Sequence, residues 1–223
     1  MKNANSIRPN HLRVLAFLVF TTQSAYADQS GWSIVPYVGA SQIEDQAGSI
    51  TATDDISDGA IDVQLDSGFV AGLGLRYDYK NSPWSAEFAW EYRSNDSSTT
   101  ASNGAQLPEG NYASNMFAIN GRYSFSERGA LTPWIGAGLS YAQEIDLDSE
   151  DADGERSFAS SGAVGIQVMA GFNYALSQRF YLSSELRYSS LTGLDLDEEG
   201  GAGRVSDIDY QPLTLGLGVG YRF

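Results

Sequence analysis

The sequence contains no cysteine, a single histidine and, after its first 27 residues, no long apolar run. Without cysteine the chain has no disulfide framework, thiolate metal site or cysteine nucleophile. A membrane-spanning helix needs about 18 consecutive apolar residues, which the remaining sequence does not offer. The one histidine, His11, lies in the N-terminal segment, so the rest of the chain lacks the side chain that most often acts as general acid or base.

The first 27 residues have the features of a secretion signal. Three basic residues lie within the first 13 positions, residues 14–20 are apolar, and Ala25 and Ala27 flank Tyr26 in a small-x-small cleavage site. A buried N-terminal helix is the alternative interpretation. We predict a signal peptide over residues 1–27 and one domain over residues 28–223.

Basic residues are also scarce. Removal of the signal segment leaves 10 basic residues against 28 acidic ones, a net charge of −18. Binding to phosphate groups needs clustered Lys and Arg, so nucleic acid is excluded as a partner.

Alternation with a period of two dominates the rest of the sequence, which is typical of β-strands with two different faces. The clearest example is the C-terminal segment, where large apolar residues from Leu213 to Phe223 alternate with small or polar ones. We predict eight strands, around residues 32–40, 69–79, 84–93, 117–125, 135–141, 164–174, 180–188 and 213–223. The first has two possible phases, and Pro36 should cost it a ladder hydrogen bond.

The connections alternate in length. Three are short, at residues 80–83, 126–133 and 176–179, and four are long, at residues 41–67, 94–112, 143–161 and 190–209. Short turns at one end and long loops at the other are typical of outer-membrane barrels. An aqueous β-sandwich has no reason to sort its loops in this way. The pattern therefore predicts an all-β, closed, antiparallel up-and-down transmembrane barrel with both termini at the periplasmic end.

Aromatic residues cluster where strands meet the short turns, as an aromatic girdle at a membrane interface would require. These residues are Trp32, Tyr77, Tyr79, Trp84, Tyr123, Phe125, Trp134, Tyr174, Phe180, Tyr221 and Phe223. The alternative is the core of a β-sandwich, which would favour aromatics in the middle of strands.

Four short segments resemble the small outer-membrane barrels, the group of OmpA-type transmembrane domains and opacity-like surface proteins. They are Ala25-Tyr26-Ala27, Thr132-Pro133-Trp134-Ile135-Gly136-Ala137-Gly138, Glu185-Leu186-Arg187-Tyr188 and Gly220-Tyr221-Arg222-Phe223. The resemblance implies that Tyr221 and Phe223 form the signal read by the barrel-assembly machinery. Because the sequence ends at Phe223, we expect the peptidoglycan-binding domain of some relatives to be absent here.

Charged residues fall on the face that points into the predicted barrel. They are Arg76, Glu87, Glu91, Arg93, Arg122, Glu185, Arg187 and Arg222. If the first short turn is centred between Asn81 and Ser82, Arg76 lies opposite Glu87. Eight strands leave an interior that side chains roughly fill, so we expect an ion-pair network there. A gated ion path or a binding site is the alternative.

The four long connections hold 22 of the 28 acidic residues. We expect solvated, mobile loops whose carboxylates interact loosely with divalent cations near the lipopolysaccharide surface. Residues 195–200 resemble the first half of a calcium loop, but Ser206 stands where the bidentate Glu belongs, so no specific metal site is predicted.

The sequence thus favours a structural or surface-interaction barrel without catalytic residues, cofactor or metal. Expected partners are outer-membrane lipid, lipopolysaccharide, the barrel-assembly machinery and an external protein or surface ligand, and we expect a monomer. A narrow small-solute channel and a lipid-modifying barrel enzyme are the alternatives, and the sequence does not name a ligand.

Overall fold

The computed structural model describes residues 31–51, 58–101, 110–125, 130–151 and 154–223. The predicted signal segment and its cleavage site at Ala25 and Ala27 lie outside them. The strands are β1 Gly31–Gln42, β2 Gln46–Thr51, β3 Gly59–Leu65, β4 Gly68–Asp78, β5 Trp84–Ala101, β6 Gly110–Ser124, β7 Leu131–Asp151, β8 Gly154–Ser160, β9 Ala163–Ala175, β10 Phe180–Glu198, β11 Arg204–Tyr210 and β12 Leu213–Arg222.

In these ranges no helix is long and apolar enough to cross a membrane.

Eight of the strands form a closed antiparallel ring at the short-turn end of the molecule. Its order is β1, β4, β5, β6, β7, β9, β10 and β12, and β12 pairs back with β1. Closure pairs the backbone N–H and C=O groups within the sheet, which a hydrocarbon environment demands because it offers no other partners. The predicted eight-stranded barrel is confirmed.

The outer face of this ring is apolar and the inner face is polar. Val38, Ile119 and Leu217 are 64%, 68% and 62% exposed, whereas Arg93 and Arg122 are 1% and 2% exposed. A water-soluble domain would have the reverse arrangement. The alternation read from the sequence therefore separates a lipid-facing side from a lumen-facing side.

The structure also decides the phase of β1. Val35 is buried and Tyr37 half-buried, both facing inward, while Pro36 is exposed on the outer face. In the ladder between β1 and β12, Ile34 and Tyr37 are paired, but Val35 and Pro36 between them are not. Because proline has no N–H, this is where the ladder loses a hydrogen bond, as predicted.

Aromatic rings form a girdle around the short-turn end. Trp32 contacts Tyr77 with ring centroids 5.0 Å apart, and Trp84 contacts Tyr123 at 5.2 Å. The girdle continues to the end of the chain, where Phe180 contacts Tyr221 at 5.1 Å. Rings at one level of a barrel are typical of a membrane–water interface.

The four long connections differ from the expected solvated, mobile loops, because most of their described residues continue the barrel as strands. A second closed ring runs β2, β3, β5, β6, β7, β8, β10 and β11, and β11 pairs back with β2. The pairing of β2 with β3 keeps the register of β1 with β4, so these two hairpins form one continuous ladder. The pairing of β7 with β8 likewise keeps the register of β7 with β9. We call the second ring the extension.

The extension lengthens the barrel well beyond a bilayer. β7 contains 21 residues. At a rise of about 3.3 Å per residue and a tilt of about 40°, it spans roughly 50 Å along the barrel axis. The apolar band of an outer-membrane barrel is about 25 Å tall, so about half of the height lies outside the membrane.

β-Bulges keep apolar residues inside the extension. The pairing of β6 with β7 shifts between Asn115 and Met116, where an extra residue of β7 reverses its inward face. Ile145 and Leu147 above the bulge are buried like Ala142 below it. A similar shift on β10, next to Gly193 with its φ of +66°, turns Leu194 inward.

Candidate functional site

The barrel interior contains a charged layer near the short-turn end, built by inward positions of adjacent strands. Arg76 on β4 is the register partner of Glu87 on β5, and Arg122 on β6 pairs with Ser85, two residues from Glu87 on the same inward face. Glu87 Oε2 accepts hydrogen bonds from Arg76 Nη2 at 3.1 Å and from Arg122 Nη1 at 2.6 Å. We call these three residues the lower ion cluster. One carboxylate thus forms ion pairs with two guanidinium groups.

Neutral polar side chains extend this cluster around the wall. Asn120 Nδ2 donates to Glu87 Oε1 at 3.2 Å, and Gln167 Nε2 donates to Asn120 Oδ1 at 2.5 Å. On the other side, Arg76 Nη1 donates to the Tyr181 hydroxyl at 3.3 Å. The cluster is therefore tied to strands on opposite sides of the barrel.

Trp134 belongs to this interior rather than to the girdle. Its side chain is 1% exposed, and the guanidinium carbon of Arg122 lies 3.2 Å from the ring centroid. The expectation that Trp134 faces the interface is wrong, because it has the inward phase of β7 and Ile135 has the outward one. A guanidinium stacked on an indole gains cation–π attraction, which is strongest where water is excluded.

A second charged layer lies closer to the extension. Glu91 Oε1 contacts Arg93 Nη2, and Glu91 Oε2 accepts from Arg187 Nη1 at 2.8 Å and from the Tyr37 hydroxyl at 3.0 Å. Arg187 Nε also donates to Glu185 Oε1 at 2.7 Å. We call Glu91, Arg93, Glu185 and Arg187 the upper ion cluster. Its two carboxylates balance its two guanidinium groups.

The two remaining C-terminal candidates lie at the short-turn end. Arg222, predicted as part of the charged network, meets it through the ring of Tyr181, with its guanidinium carbon 4.7 Å from the centroid. Phe223 is 74% exposed, its N–H donates to the Trp32 carbonyl at 3.0 Å, and its ring packs edge-on against Tyr221. Phe223 is thus held to β1 by a backbone hydrogen bond, and its ring lies on the outer face of the barrel wall at the short-turn end.

The interior of the extension is mainly apolar. We call the buried set the apolar core. It comprises Ile43, Ile50, Ile61, Val63, Leu65, Tyr112, Met116, Ala142, Ile145, Leu147, Phe158, Leu191, Leu194, Leu196, Val205, Ile208 and Tyr210. Because it is enclosed by the second ring, it covers the end of the barrel opposite the short turns.

The outer face of the extension carries acidic side chains. Asp62, Asp96 and Asp209 are exposed examples from three of the four long connections. On β7, partial burial together with Glu144, Asp148 and Glu199 raises the pKa of Asp146 to about 6.

The carboxylates of the calcium-like segment are engaged by an arginine instead. Arg204 Nε donates to Asp197 Oδ1 at 2.6 Å, and Arg204 Nη1 lies 3.8 Å from Asp195 Oδ2. The hydrogen bond lowers the pKa of Asp197. The segment pairs with a guanidinium across the β10–β11 hairpin.

Sequence reasoning missed several interior residues, namely Tyr37, Asn120, Trp134, Gln167, Tyr181 and Tyr210. The sequence pattern contained part of this information, because Tyr181 and Trp134 alternate with residues that the pattern assigns to the lipid face. Strand phase alone would have placed both inside. Tyr210 lies beyond a register shift near Asp207, so its direction is not readable from alternation.

Comparisons with known proteins agree with this geometry. A family model described as "outer membrane protein beta-barrel domain" matches residues 13–223. No curated protein matches the sequence.

Among solved structures, the outer membrane protein OprG from Pseudomonas aeruginosa is 17% identical, with a TM-score of 0.67 over 87% of this chain and 96% of that one. Neisserial surface protein A is 16% identical, with a TM-score of 0.49 over 85% and 97%. The attachment invasion locus protein of Yersinia pestis is 17% identical, with a TM-score of 0.43 over 87% and 100%.

At this level of identity the likeness to OprG shows the fold alone. Together with the inside-out barrel wall and the aromatic girdle, the family match confirms the resemblance to small outer-membrane barrels. The chain belongs to the outer membrane protein beta-barrel domain family and is a protein of the outer membrane.

Proposed function

We propose that this protein is a sealed, non-catalytic barrel that presents an acidic, folded extension at the cell surface for interaction with an external ligand. Both chain termini then lie on the periplasmic side, because the short turns and the girdle share that end of the barrel. In this view the interior of the barrel stabilises the fold, and the outer face of the extension binds the ligand.

The observation that supports the proposal is the presence of buried side chains inside the barrel at two levels. The lower and upper ion clusters bridge the interior through Glu87 and Glu91, each of which is 5% exposed. Beyond them the apolar core fills the extension. A path for hydrated ions would have to break buried ion pairs and then cross an apolar layer, and both steps are costly.

The charge of the extension indicates the chemistry of the ligand. Acidic side chains outnumber basic ones on its described outer face, where Arg204 is already bound to Asp197. Such a surface attracts a basic partner and disfavours an acidic one. Divalent cations shared with lipopolysaccharide would bridge the same carboxylates to the anionic lipid around them. We propose a monomeric barrel, since the lipid-facing wall needs no second copy.

The alternative of a lipid-modifying enzyme has little support in the residues. The only histidine, His11, lies in the predicted signal peptide. In the interior, Glu87, Glu91 and Glu185 are each held by a guanidinium group, so none is placed as a free general base. Purified protein is expected to turn over neither lipid A nor phospholipid.

Planar-bilayer recording tests the sealed lumen. Folded protein, verified by heat-modifiability on a gel of the same preparation, is expected to give no steady conductance. A double variant, Glu87→Ala with Arg122→Ala, removes both ion pairs of the lower ion cluster but keeps the apolar core, and it is also expected to stay closed. Stable single-channel openings of the wild-type protein would reject the proposal in favour of a narrow channel.

Binding of a fluorescent oligolysine peptide tests the recognition surface. Protein in nanodiscs of zwitterionic lipid is expected to bind the peptide with an affinity that falls as salt rises. A variant with Asp62→Asn, Asp195→Asn and Glu199→Gln should bind more weakly, whereas Gln64→Ala on the same outer face of β3 should bind as the wild type does. Equal binding by all three proteins contradicts an acidic recognition surface.

A further inference from the structure

A small cavity of about 20 Å³ lies inside the barrel, between the two ion clusters. Three arginines and two glutamates border it, together with small residues of β4 and β12. The charged members are Arg76, Arg122, Arg187, Glu87 and Glu185. A space of this size holds about one water molecule or one ion of similar size.

The charges around the cavity do not balance. The lower ion cluster contains two guanidinium groups and one carboxylate, because Glu87 serves both Arg76 and Arg122. The upper ion cluster is neutral. The two clusters together therefore contain one guanidinium group more than they contain carboxylates. Asp78, which interacts electrostatically with Arg76, and Arg222, beside Tyr181, add one charge of each sign at the short-turn end, so an excess of one positive charge remains in the interior. An uncompensated buried charge is strongly unfavourable.

An unpartnered donor lies in the same cluster. Arg122 is 2% exposed, and within the described residues its Nη2 group has no acceptor. Its Nη1 group donates to Glu87, and its guanidinium face is covered by the ring of Trp134. Buried donors without partners are rare in proteins, and a charged one calls for an anionic or water acceptor.

We propose that this cavity binds one small monovalent anion of the size of chloride. The unpartnered Nη2 group of Arg122 supplies the donor, Arg76 and Arg187 add positive charge at the cavity wall, and the anion neutralises the excess charge of the interior. The site is independent of the proposed surface role, because it stabilises the barrel wall whether or not the extension recognises a ligand.

A comparison of salts tests this site. Wild-type protein folded in non-ionic detergent is unfolded with urea in sodium chloride and in sodium gluconate at equal ionic strength, so that screening of surface charges is the same. Gluconate is too large for the cavity. We expect a higher urea midpoint in chloride, and the gain should rise with chloride concentration and then level off, as for a single saturable site.

Three variants locate the effect. Arg122→Gln removes the excess charge and keeps an amide near Glu87, so the chloride effect should disappear. Glu87→Gln raises the excess by one charge, so the effect should grow. Arg204→Gln, the same change on the outer face of the extension, should keep the wild-type effect.

Equal wild-type midpoints in the two salts would overturn the proposal, and so would a chloride effect of wild-type size in Arg122→Gln. If Arg122→Gln does not fold, crystals of the wild-type protein grown in bromide decide the question by anomalous scattering. An anomalous peak in the cavity supports the anion site. A cavity without one shows that water alone fills it and refutes the proposal.

Discussion

Arg93 and Tyr210 join the two halves of the barrel interior. Arg93 Nη1 donates a hydrogen bond of 2.9 Å to the Tyr210 hydroxyl, and both residues are 1% exposed. Arg93 also contacts Glu91 of the upper ion cluster, while the ring of Tyr210 packs against Tyr112 in the apolar core. One contact therefore connects the charged interior of the membrane-spanning part with the apolar interior of the extension.

Tyr210→Phe should destabilise the protein. The change removes the acceptor of Arg93 and breaks a 2.6 Å hydrogen bond with Ser114 while the ring stays in place. Loss of a buried hydrogen bond to a charged group costs about 1–3 kcal/mol in the free energy of unfolding. Urea unfolding followed by the gel shift of the heated protein measures it. The control is Tyr188→Phe, whose hydroxyl bonds Gln211 on the exposed face, and an equal loss in both variants would contradict the special role of Tyr210.

Removal of Glu87 should cost more stability than removal of Arg76. Arg76→Ala leaves Glu87 paired with Arg122, so we expect a loss of about 1–3 kcal/mol. Glu87→Ala leaves two buried guanidinium groups without their shared carboxylate, for which about 3–5 kcal/mol is typical. Both values come from urea unfolding at one salt concentration. An unchanged unfolding midpoint in Arg76→Ala would reject the pairing, and the reverse order would reject the shared-carboxylate geometry.

Deletion of Phe223 should impair assembly into the outer membrane more than it impairs any function of the extension. The ring is exposed and packs edge-on against Tyr221, so its removal disturbs little of the folded barrel. The expected result is a smaller heat-modifiable fraction in isolated outer membranes, with protein refolded in detergent still giving the folded band. Phe180→Ala, another exposed girdle residue, serves as the control. Normal membrane assembly without Phe223 would contradict the terminal signal.

Asp146→Asn should stabilise the protein at pH 8 and not at pH 4. The pKa of Asp146, on the extension outside the membrane, is raised to about 6 by partial burial and by neighbouring carboxylates. A raised carboxyl pKa means that the folded state binds the proton more tightly than the unfolded state does. The stability it contributes is full below about pH 4 and is lost as the pH rises through about 6.

With allowance for solvent screening, the gain in Asp146→Asn at pH 8 should be on the order of 1 kcal/mol. Urea midpoints at the two pH values measure it. Asp62→Asn on the exposed outer face of β3 is the control and should change the midpoint less. A gain at pH 4 that equals the gain at pH 8 would argue against titration of Asp146.

Single cysteines should map the orientation of the barrel, since the chain has no cysteine of its own. Gln64→Cys on the outer face of β3 should react with a membrane-impermeant maleimide on intact cells. Gln178→Cys in the third short turn should react only after the outer membrane is permeabilised. Both positions are exposed, so access to the reagent is set by the side of the membrane. The opposite pattern would place the chain termini outside the cell.

Most of the membrane-spanning barrel is readable from the sequence. Lipid outside and polar groups inside impose a strict alternation, so residues such as Leu215 and Leu217 reveal both the strand and the direction of their side chains. The lengths of the connections add the up-and-down topology. The opposition of Arg76 and Glu87 is readable from one short turn, because an antiparallel register is set by its hairpin.

The strands of the extension are harder to predict from the sequence, and the reason is physical. Its strands are interrupted by bulges at the shift next to Asn115 and near Gly193, and each extra residue reverses the phase of the residues after it. Acidic residues on the outer face also lower the apparent hydrophobicity of segments such as residues 143–149, although Ile145 and Leu147 between them are buried. Composition therefore predicts solvated loops where the chain forms a second closed ring.

The sequence by itself determined the membrane-spanning barrel, its strand number and the side of the wall on which the charges of that part lie, because a period of two is a local property of the chain. Only the tertiary structure decided which charges share a partner, that Trp134 covers Arg122 inside the lumen, and that the long connections close over an apolar core. Those contacts join strands distant in sequence, and their geometry depends on curvature and on bulges that no local pattern records.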